Sequence, residues 1–224
     1  VTGAEDPHVY WKPHRRGSIA LWWFARVLLR ATLPWMFGFH VAGRDRLPRR
    51  GGVLVVCNHI ADVDPLFVGV ACVPRRARYM ALSHHFTTRP FAELLFALGG
   101  FPVRLDRPDV RALRYARERL EAGEMLVVFP EGTPAWGPEM GEFRDGMGLL
   151  GLTPGVTVIP AALWGSHRIV HGWKPVGRGP VWVAFGEPLE VPAEGSRRER
   201  SAELTRRARA AIDELRAPML RARP

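Results

Sequence analysis

The amino-acid sequence predicts an α/β fold: a mixed, largely buried sheet flanked by helices, preceded by an amphipathic, aromatic-rich helical segment. Three observations predict it. Four short apolar runs rich in β-branched residues are bounded by Gly, Pro or polar turns, the pattern of strands covered on both faces. Between the first two runs, apolar residues recur at helical spacing, so strands and helices alternate. Hydrophobic residues make up 47% and charged residues 24% of 224 positions, an ordinary globular balance in a chain long enough for one domain and short for two.

Residues 1–17 are polar, with a basic cluster at Lys12, His14, Arg15 and Arg16, and residues 1–13 lack the apolar stretch of a secretory signal. Residues 19–39 are apolar and rich in Trp and Phe. Arg26, Arg30 and Pro34 interrupt them, so they do not make the ~20 mostly apolar residues of a bilayer span. Arg26 and Arg30, four apart, share one helical face. Trp favours the headgroup zone. The segment 1–40 therefore reads as a helix lying in a membrane interface; burial in a core or a dimer contact is the alternative. Residues 41–224 form the globular domain.

Val53–Cys57 is the first buried strand, entered from Gly51-Gly52. Residues 125–129 are the second and 156–162 the third, where Pro160 is expected to end the pairing for want of an N–H. Residues 181–185 are the fourth. Helical patterns cover residues 89–98 and 110–121. A last helix is expected over 196–216, opened by a Ser196-x-x-Glu199 capping box, with Leu204, Ala208, Ala211, Ile212 and Leu215 on one stripe and arginines on the solvated remainder. Trp164, Trp173 and Trp182, around a Gly/Pro-rich section, read as core residues, with a groove lining as the alternative.

The formal charge is +10, and of the 32 basic residues only Lys12 and Lys174 are lysine. Such charge fits phosphate neutralisation on nucleic acid, attraction to anionic lipid at about 1 kcal/mol per basic residue near the surface, or a plain preference for Arg at basic surface positions. No recognition module accompanies it, so nucleic acid is not an expected partner. Cys57 and Cys72 are too few for a disulfide scaffold or a zinc cage, which fits a reducing setting. His167-x3-His171 lacks a third ligand and sits between Gly165 and Gly172, so no metal is expected. Serine-hydrolase elbow, Walker loop and dinucleotide fingerprint are all missing.

Chemistry concentrates where the first strand runs into Asn58-His59-Ile60-Ala61-Asp62-Val63-Asp64-Pro65. Titratable groups directly after a buried strand occupy the usual site position of α/β folds. His59 and Asp64, five apart, do not share a helical face; they meet if the chain turns. Asp as N-cap and Pro in the first helical turn predict a helix starting near Asp64. Asp64 is then placed to accept the Nδ1–H of His59, leaving Nε2 as a base, with Asp62 as its rival. This is the base-and-orienter half of a triad, without a protein nucleophile. Taken alone, an H-x4-D spacing is common, and turn plus cap explains it equally well.

It is not alone. Gly99-Gly100-Phe101-Pro102-Val103, Phe129-Pro130-Glu131-Gly132-Thr133, Phe143-Arg144-x-Gly146 and Val158-Ile159-Pro160 follow in order. Together with Asn58-His59-x4-Asp64 they resemble the glycerolipid acyltransferase family, which includes the 1-acylglycerol-3-phosphate acyltransferases, over roughly residues 53–165. The resemblance implies an acyltransferase domain over 41–224 that moves a fatty acyl group from acyl-CoA or acyl carrier protein to a hydroxyl of a lysolipid. His59 and Asp64 are the implied catalytic residues. Glu131, Gly132, Thr133, Arg104, Arg107 and Arg144 are expected at the acceptor, with Asn58 and Pro130 supporting the site. Backbone donors at the Glu131-Gly132 turn are expected to hold the oxyanion. No cofactor beyond the acyl donor is implied, and the expected location is the cytoplasmic face of a membrane, peripheral or monotopic.

The sequence departs from the family pattern on one theme. Pro134, Leu105 and Leu82 stand at positions where cations are usual, and Ala61 replaces a usual Ser. A phosphate needs charge-assisted donors. Arg104, Arg107 and Arg144, and more weakly His84 and His85, are the replacements at hand; an acceptor other than a glycerophosphate is the alternative. From other classes, a thioesterase in which His59 activates water and a non-catalytic lipid-binding protein also stay open.

Overall fold

The computed structural model describes residues 19–106, 108–144, 146–171 and 174–221. Nine strands and six α-helices occur among them. The chain starts with helix α1 (Ile19–Phe37), followed by strand β1 (His40–Ala42) and β2 (Val53–Cys57). Next come α2 (Asp64–Ala71), β3 (Ala77–Leu82), α3 (Arg89–Ala97), β4 (Gly100–Val103), α4 (Val110–Glu121) and β5 (Met125–Val128). The last part holds α5 (Gly146–Gly151), β6 (Thr157–Trp164), the short pair β7 (Val170–His171) and β8 (Lys174–Pro175), β9 (Trp182–Phe185) and α6 (Arg197–Arg221).

The main sheet has seven strands in the order β1-β9-β6-β2-β5-β3-β4. β6, β2, β5, β3 and β4 run parallel; β9 is antiparallel to β6 and carries β1 beside it. This is the mixed α/β sheet expected. β2 is central, and alternation along it feeds two cores. Val53, Val55 and Cys57 face Phe67, Val68 and Ile159; Leu54 and Val56 face Leu120, Leu204 and Ile212. A strand with two covered faces has no polar face to show, which is why its sequence is continuously apolar.

Pro160 does not end β6, contrary to expectation. Its carbonyl accepts from Gly186 N–H at 2.8 Å, so the Pro160 nitrogen lies on the β9 edge. There the β9 ladder has just ended at the Ala161–Phe185 pair, and the next bridge is Val158–Leu189. The missing donor falls in a gap of the ladder, where it costs no hydrogen bond.

Pro34 likewise does not break α1, which continues to Phe37. Lying so near the C-terminal end, it removes one intrahelical bond and no more. Trp22, Leu29, Leu33 and Phe37 form the half-buried or buried side of α1, and Phe37 meets Phe67 edge-on at 6.0 Å. The opposite side is apolar and exposed: Trp23, Phe24, Val27, Leu28 and, at 88% exposure, Trp35. No helix among the described residues is long and apolar enough to cross a membrane. Arg30 is exposed; the Arg26 side chain and residues 1–18 lie outside the described residues. Trp164 is buried, but Trp182 is not a core residue: it is 39% exposed and stacks on His40 at 4.0 Å. Trp173 lies outside the described residues.

The Ser196–Glu199 capping box forms in both directions, Ser196 N–H to Glu199 Oε2 at 2.8 Å and Glu199 N–H to Ser196 Oγ at 3.3 Å. α6 runs past the expected residue 216 to Arg221, through Pro218.

Candidate active site

The site lies beyond the C-terminal ends of the parallel strands. β2 ends at Cys57, and the chain turns through residues 58–63 before α2 begins. Asn58 is fully buried and clips this turn to the end of β6: its Nδ2 donates to Leu163 O at 3.0 Å and its Oδ1 accepts from Leu163 N–H at 2.8 Å. The side-chain amide thereby acts as an extra rung between β2 and β6.

Asp64 is not the N-cap, as the sequence suggested; Val63 is, and its side chain offers no cap bond. The Asp64 carboxylate instead folds back over the turn. Its Oδ2 accepts from Ile60 N–H at 2.6 Å, Ala61 N–H at 2.9 Å and His59 Nδ1 at 2.8 Å. Its Oδ1 accepts the Ser166 hydroxyl at 2.5 Å. With no exposed surface, this carboxylate is satisfied entirely by protein donors, and a proton on His59 Nδ1 makes Nε2 the basic nitrogen. Asp62, the rival partner, is engaged elsewhere: it accepts from Trp136 Nε1 at 3.1 Å.

β5 supplies the other wall. Phe129 stacks on the His59 ring with centroids 4.4 Å apart. Glu131, buried after Pro130, links two loops: Oε1 accepts from His59 N–H at 2.9 Å and Oε2 from Gly141 N–H at 3.2 Å. Burial pushes the Glu131 carboxyl above its ordinary value, while the two N–H donors, His59 and Arg216 pull it down. The His59 carbonyl accepts from Ala135 N–H at 3.0 Å. His59 is thus gripped at its ring, its amide and its carbonyl.

The expected acceptor residues fall into two groups. Gly132, Leu105 and Arg144 converge: a Cβ at Gly132 would stand 2.9 Å from Arg144 Nε and 3.0 Å from Leu105 Cδ1. Arg144 is exposed, donates from Nη1 to Leu105 O at 3.2 Å, and its own N–H bonds Pro130 O at 2.8 Å. Thr133 is exposed, and Arg104 follows β4 at the same edge of the sheet, its N–H on Asp109 at 3.0 Å. Arg107 lies outside the described residues. Of the backbone donors at the Glu131-Gly132 turn, the Gly132 N–H is spent, because it bonds Phe129 O at 3.0 Å inside the turn. Among the described residues no group of three or more His, Cys, Asp or Glu side chains could hold a metal ion.

Ser166 and Gly141 were missed by sequence reasoning. Ser166 sits 102 positions from Asp64; its only sequence signal is a polar residue closing a buried strand. Gly141 acts through its amide, which any residue type carries.

A mixed α/β sheet with a histidine held on a buried carboxylate, just beyond the end of a central parallel strand, has its chemistry where α/β enzymes place their sites. Comparison with known proteins agrees. Residues 38–164 match the family model described as Acyltransferase, and the chain belongs to that family of O-acyltransferases. It is 26% identical over 166 residues to a 1-acyl-sn-glycerol-3-phosphate acyltransferase of Bacillus subtilis, covering 74% of this chain and 81% of the relative. It is 31% identical over 185 residues to the Pseudomonas aeruginosa protein of the same name, covering 79% and 68%. The crystal structure of the 1-acyl-sn-glycerophosphate acyltransferase PlsC from Thermotoga maritima shares the fold, with a TM-score of 0.64 at 24% identity over 88% of this chain and 79% of that one.

Proposed function

We propose that this protein transfers a fatty acyl group from acyl-CoA or acyl carrier protein to a hydroxyl of a lysolipid, with 1-acylglycerol-3-phosphate as the first acceptor to consider. The observation that carries the reading is His59 Nδ1 at 2.8 Å from a buried Asp64, with no described residue on Nε2. In this mechanism Nε2 takes the acceptor's hydroxyl proton as the oxygen attacks the thioester carbon. The new C–O bond forms, the C–S bond breaks, and the departing thiolate recovers the proton from the imidazolium. Asp64 holds the ring and offsets its transient positive charge. Gly132, Thr133 and the arginines 104, 107 and 144 are assigned to the acceptor side; Glu131, with both oxygens on the His59 and Gly141 N–H groups, joins Asn58 and Pro130 in the frame. The names of the Bacillus and Pseudomonas relatives support this acceptor.

A second reading keeps the chemistry and changes the acceptor. Apolar Leu105 stands beside Gly132, and the nearest cation there, Arg144, is exposed with one guanidinium nitrogen on a carbonyl. That favours an acceptor with less charge than a phosphate monoester. In either case the exposed aromatic side of α1 seats this helix, the described part of the 1–40 segment, on the cytoplasmic membrane surface as a peripheral or monotopic element, and residues 41–224 form the acyltransferase domain.

The test is acyl transfer from a labelled long-chain acyl-CoA and acyl carrier protein to a panel of lysolipids, with His59→Ala as control. Loss of about a hundredfold to ten-thousandfold in kcat for His59→Ala is expected of a general base. Turnover of lysophosphatidate selects the first reading, and turnover of another lysolipid alone selects the second. Undiminished rate in His59→Ala, or free fatty acid as sole product, removes both.

A further inference from the structure

We propose that Arg209 and Arg216, on α6, are positioning residues for His59, acting through the 138–141 loop and the Glu131 carboxylate. The proposal rests on the reading of His59 as the base.

α6 lies outside the 38–164 span that matches the family model. It packs tightly on α5, where a Cβ at Gly148 would run into Ser201 O and one at Gly151 would stand 2.5 Å from Leu204 Cδ2. That contact sets the height of the helix over the loop. Arg209 and Arg216 are seven apart, two turns on one face. The Arg209 fork donates to Gly141 O at 2.6 Å and to Met140 O at 3.3 Å, with its guanidinium 5.2 Å over the Phe143 ring. Arg216, 4% exposed, donates to Pro138 O and pairs with Asp213 at 3.2 Å. Two guanidinium groups thus hold three carbonyls of one four-residue segment.

Gly141 passes the constraint on through its two flanking peptide groups. Gly141 is gripped at its carbonyl by Arg209 and gives its N–H to Glu131 Oε2; Glu131 Oε1 takes the His59 N–H. The path from α6 to His59 is three hydrogen bonds, each with a named donor. Simple packing does not explain the choice of residue. A buried guanidinium is costly, Arg216 Nε finds no partner among the described residues, and an apolar side chain fills such space at less cost. What arginine adds is a rigid set of donors suited to several fixed oxygens at once.

The test uses the full chain with Arg209→Met, Arg209→Lys, Arg216→Met and, as a control, Ile212→Ala. Ile212 is fully buried on the same helix and is not one of the groups that hold the loop. Amide hydrogen exchange is read first, because it needs no substrate. In Arg209→Met and Arg216→Met the His59 and Gly141 amides are expected to exchange at least about tenfold faster than the other protected amides of the same variant. In Ile212→Ala all amides speed up together. Arg209→Lys, able to reach one carbonyl, recovers part of the protection. In turnover, kcat falls about tenfold with donor KM unchanged. The acid limb of kcat also moves to higher pH. Among the described residues His59, Arg216 and the buried Cys57 thiol are the charged or titratable groups near Glu131, and losing either the Gly141 N–H or the Arg216 charge favours the protonated carboxyl. Arg209 is half-buried, so its variant carries the test should Arg216→Met fail to fold. Uniform exchange in Arg209→Met, matching Ile212→Ala, overturns the proposal even when His59→Ala is inactive. Selective exchange with full turnover in His59→Ala leaves the loop linkage standing and removes the base reading instead.

Discussion

Ser166 donates its hydroxyl to Asp64 Oδ1 at 2.5 Å, closing the one side of the buried carboxylate that the 58–64 turn leaves open. The bond joins the end of β6 to the start of α2. Ser166→Ala is expected to cost about 2 kcal/mol in thermal unfolding, the range for a hydrogen bond to a charged group. Its kcat falls several-fold with little change in KM, since Oδ2 and its three donors stay in place. Unchanged stability and rate mean the hydroxyl does not serve Asp64.

Asp64→Asn separates charge from geometry. Ile60 N–H and Ala61 N–H demand an acceptor at the Oδ2 position, so the amide oxygen settles there and its NH2 turns to Ser166. His59 stays oriented and the negative charge is gone. The expected loss is about a hundredfold in kcat, with donor KM unchanged. A near-wild-type rate reduces Asp64 to a structural clip.

Glu131 sets opposite pH trends for activity and stability. Burial raises its carboxyl above the ordinary 4.5, so the folded state keeps this proton to a higher pH than the unfolded chain. Its stabilising contribution is complete below the unfolded value and is lost as pH rises through the folded one. Activity runs the other way, since only the ionised carboxylate accepts both the His59 and Gly141 N–H. An acid limb of kcat above 4.5 is expected, in the window where unfolding measurements show stability declining. Glu131→Gln removes that pH-dependent part of stability and lowers kcat, because its NH2 confronts one of the two N–H donors.

Gly132 has φ +85, and a Cβ there meets Leu105 and Arg144. Arg144 is exposed and swings aside at little cost, whereas the backbone strain does not relax. Gly132→Ala is expected to lose about 1–2 kcal/mol of stability. KM for the acceptor rises more than KM for the donor. Equal changes in both KM values would remove the acceptor assignment of this turn.

The outer side of α1 is tested on vesicles containing anionic lipid. Trp35 is 88% and Phe24 66% exposed, so Phe24→Ser with Trp35→Ala leaves folding stability within about 0.5 kcal/mol. The bound fraction in a flotation assay is expected to drop several-fold. Undiminished flotation shows that another surface makes the contact.

The central strands were readable because strands covered on both faces must be apolar throughout, and β2, β5 and β6 are; β1, β3 and β4, short or only partly buried, were not expected. The helices over 89–97 and 110–121 were readable from their apolar period. His59 and Asp64 were readable because the turn between them is local: five residues and one proline constrain where the two side chains go. Pro160 and Pro34 misled because the effect of a missing N–H depends on what faces it. At Pro160 that is a gap in a neighbouring ladder, and at Pro34 a helix about to end.

The sequence by itself therefore determined four of the strands and most of the helices, the placement of His59 and Asp64 after a buried strand, and the ordered motifs of the family. Those properties depend on residues close together along the chain. Only the tertiary structure decided what surrounds His59. Ser166 reaches Asp64, Glu131 grips the His59 amide, Trp136 rather than His59 takes Asp62, and α6 holds the loop below Glu131. Each of these contacts crosses 68 or more positions, and several are made to backbone groups that every residue type shares, so no local pattern of side chains encodes them.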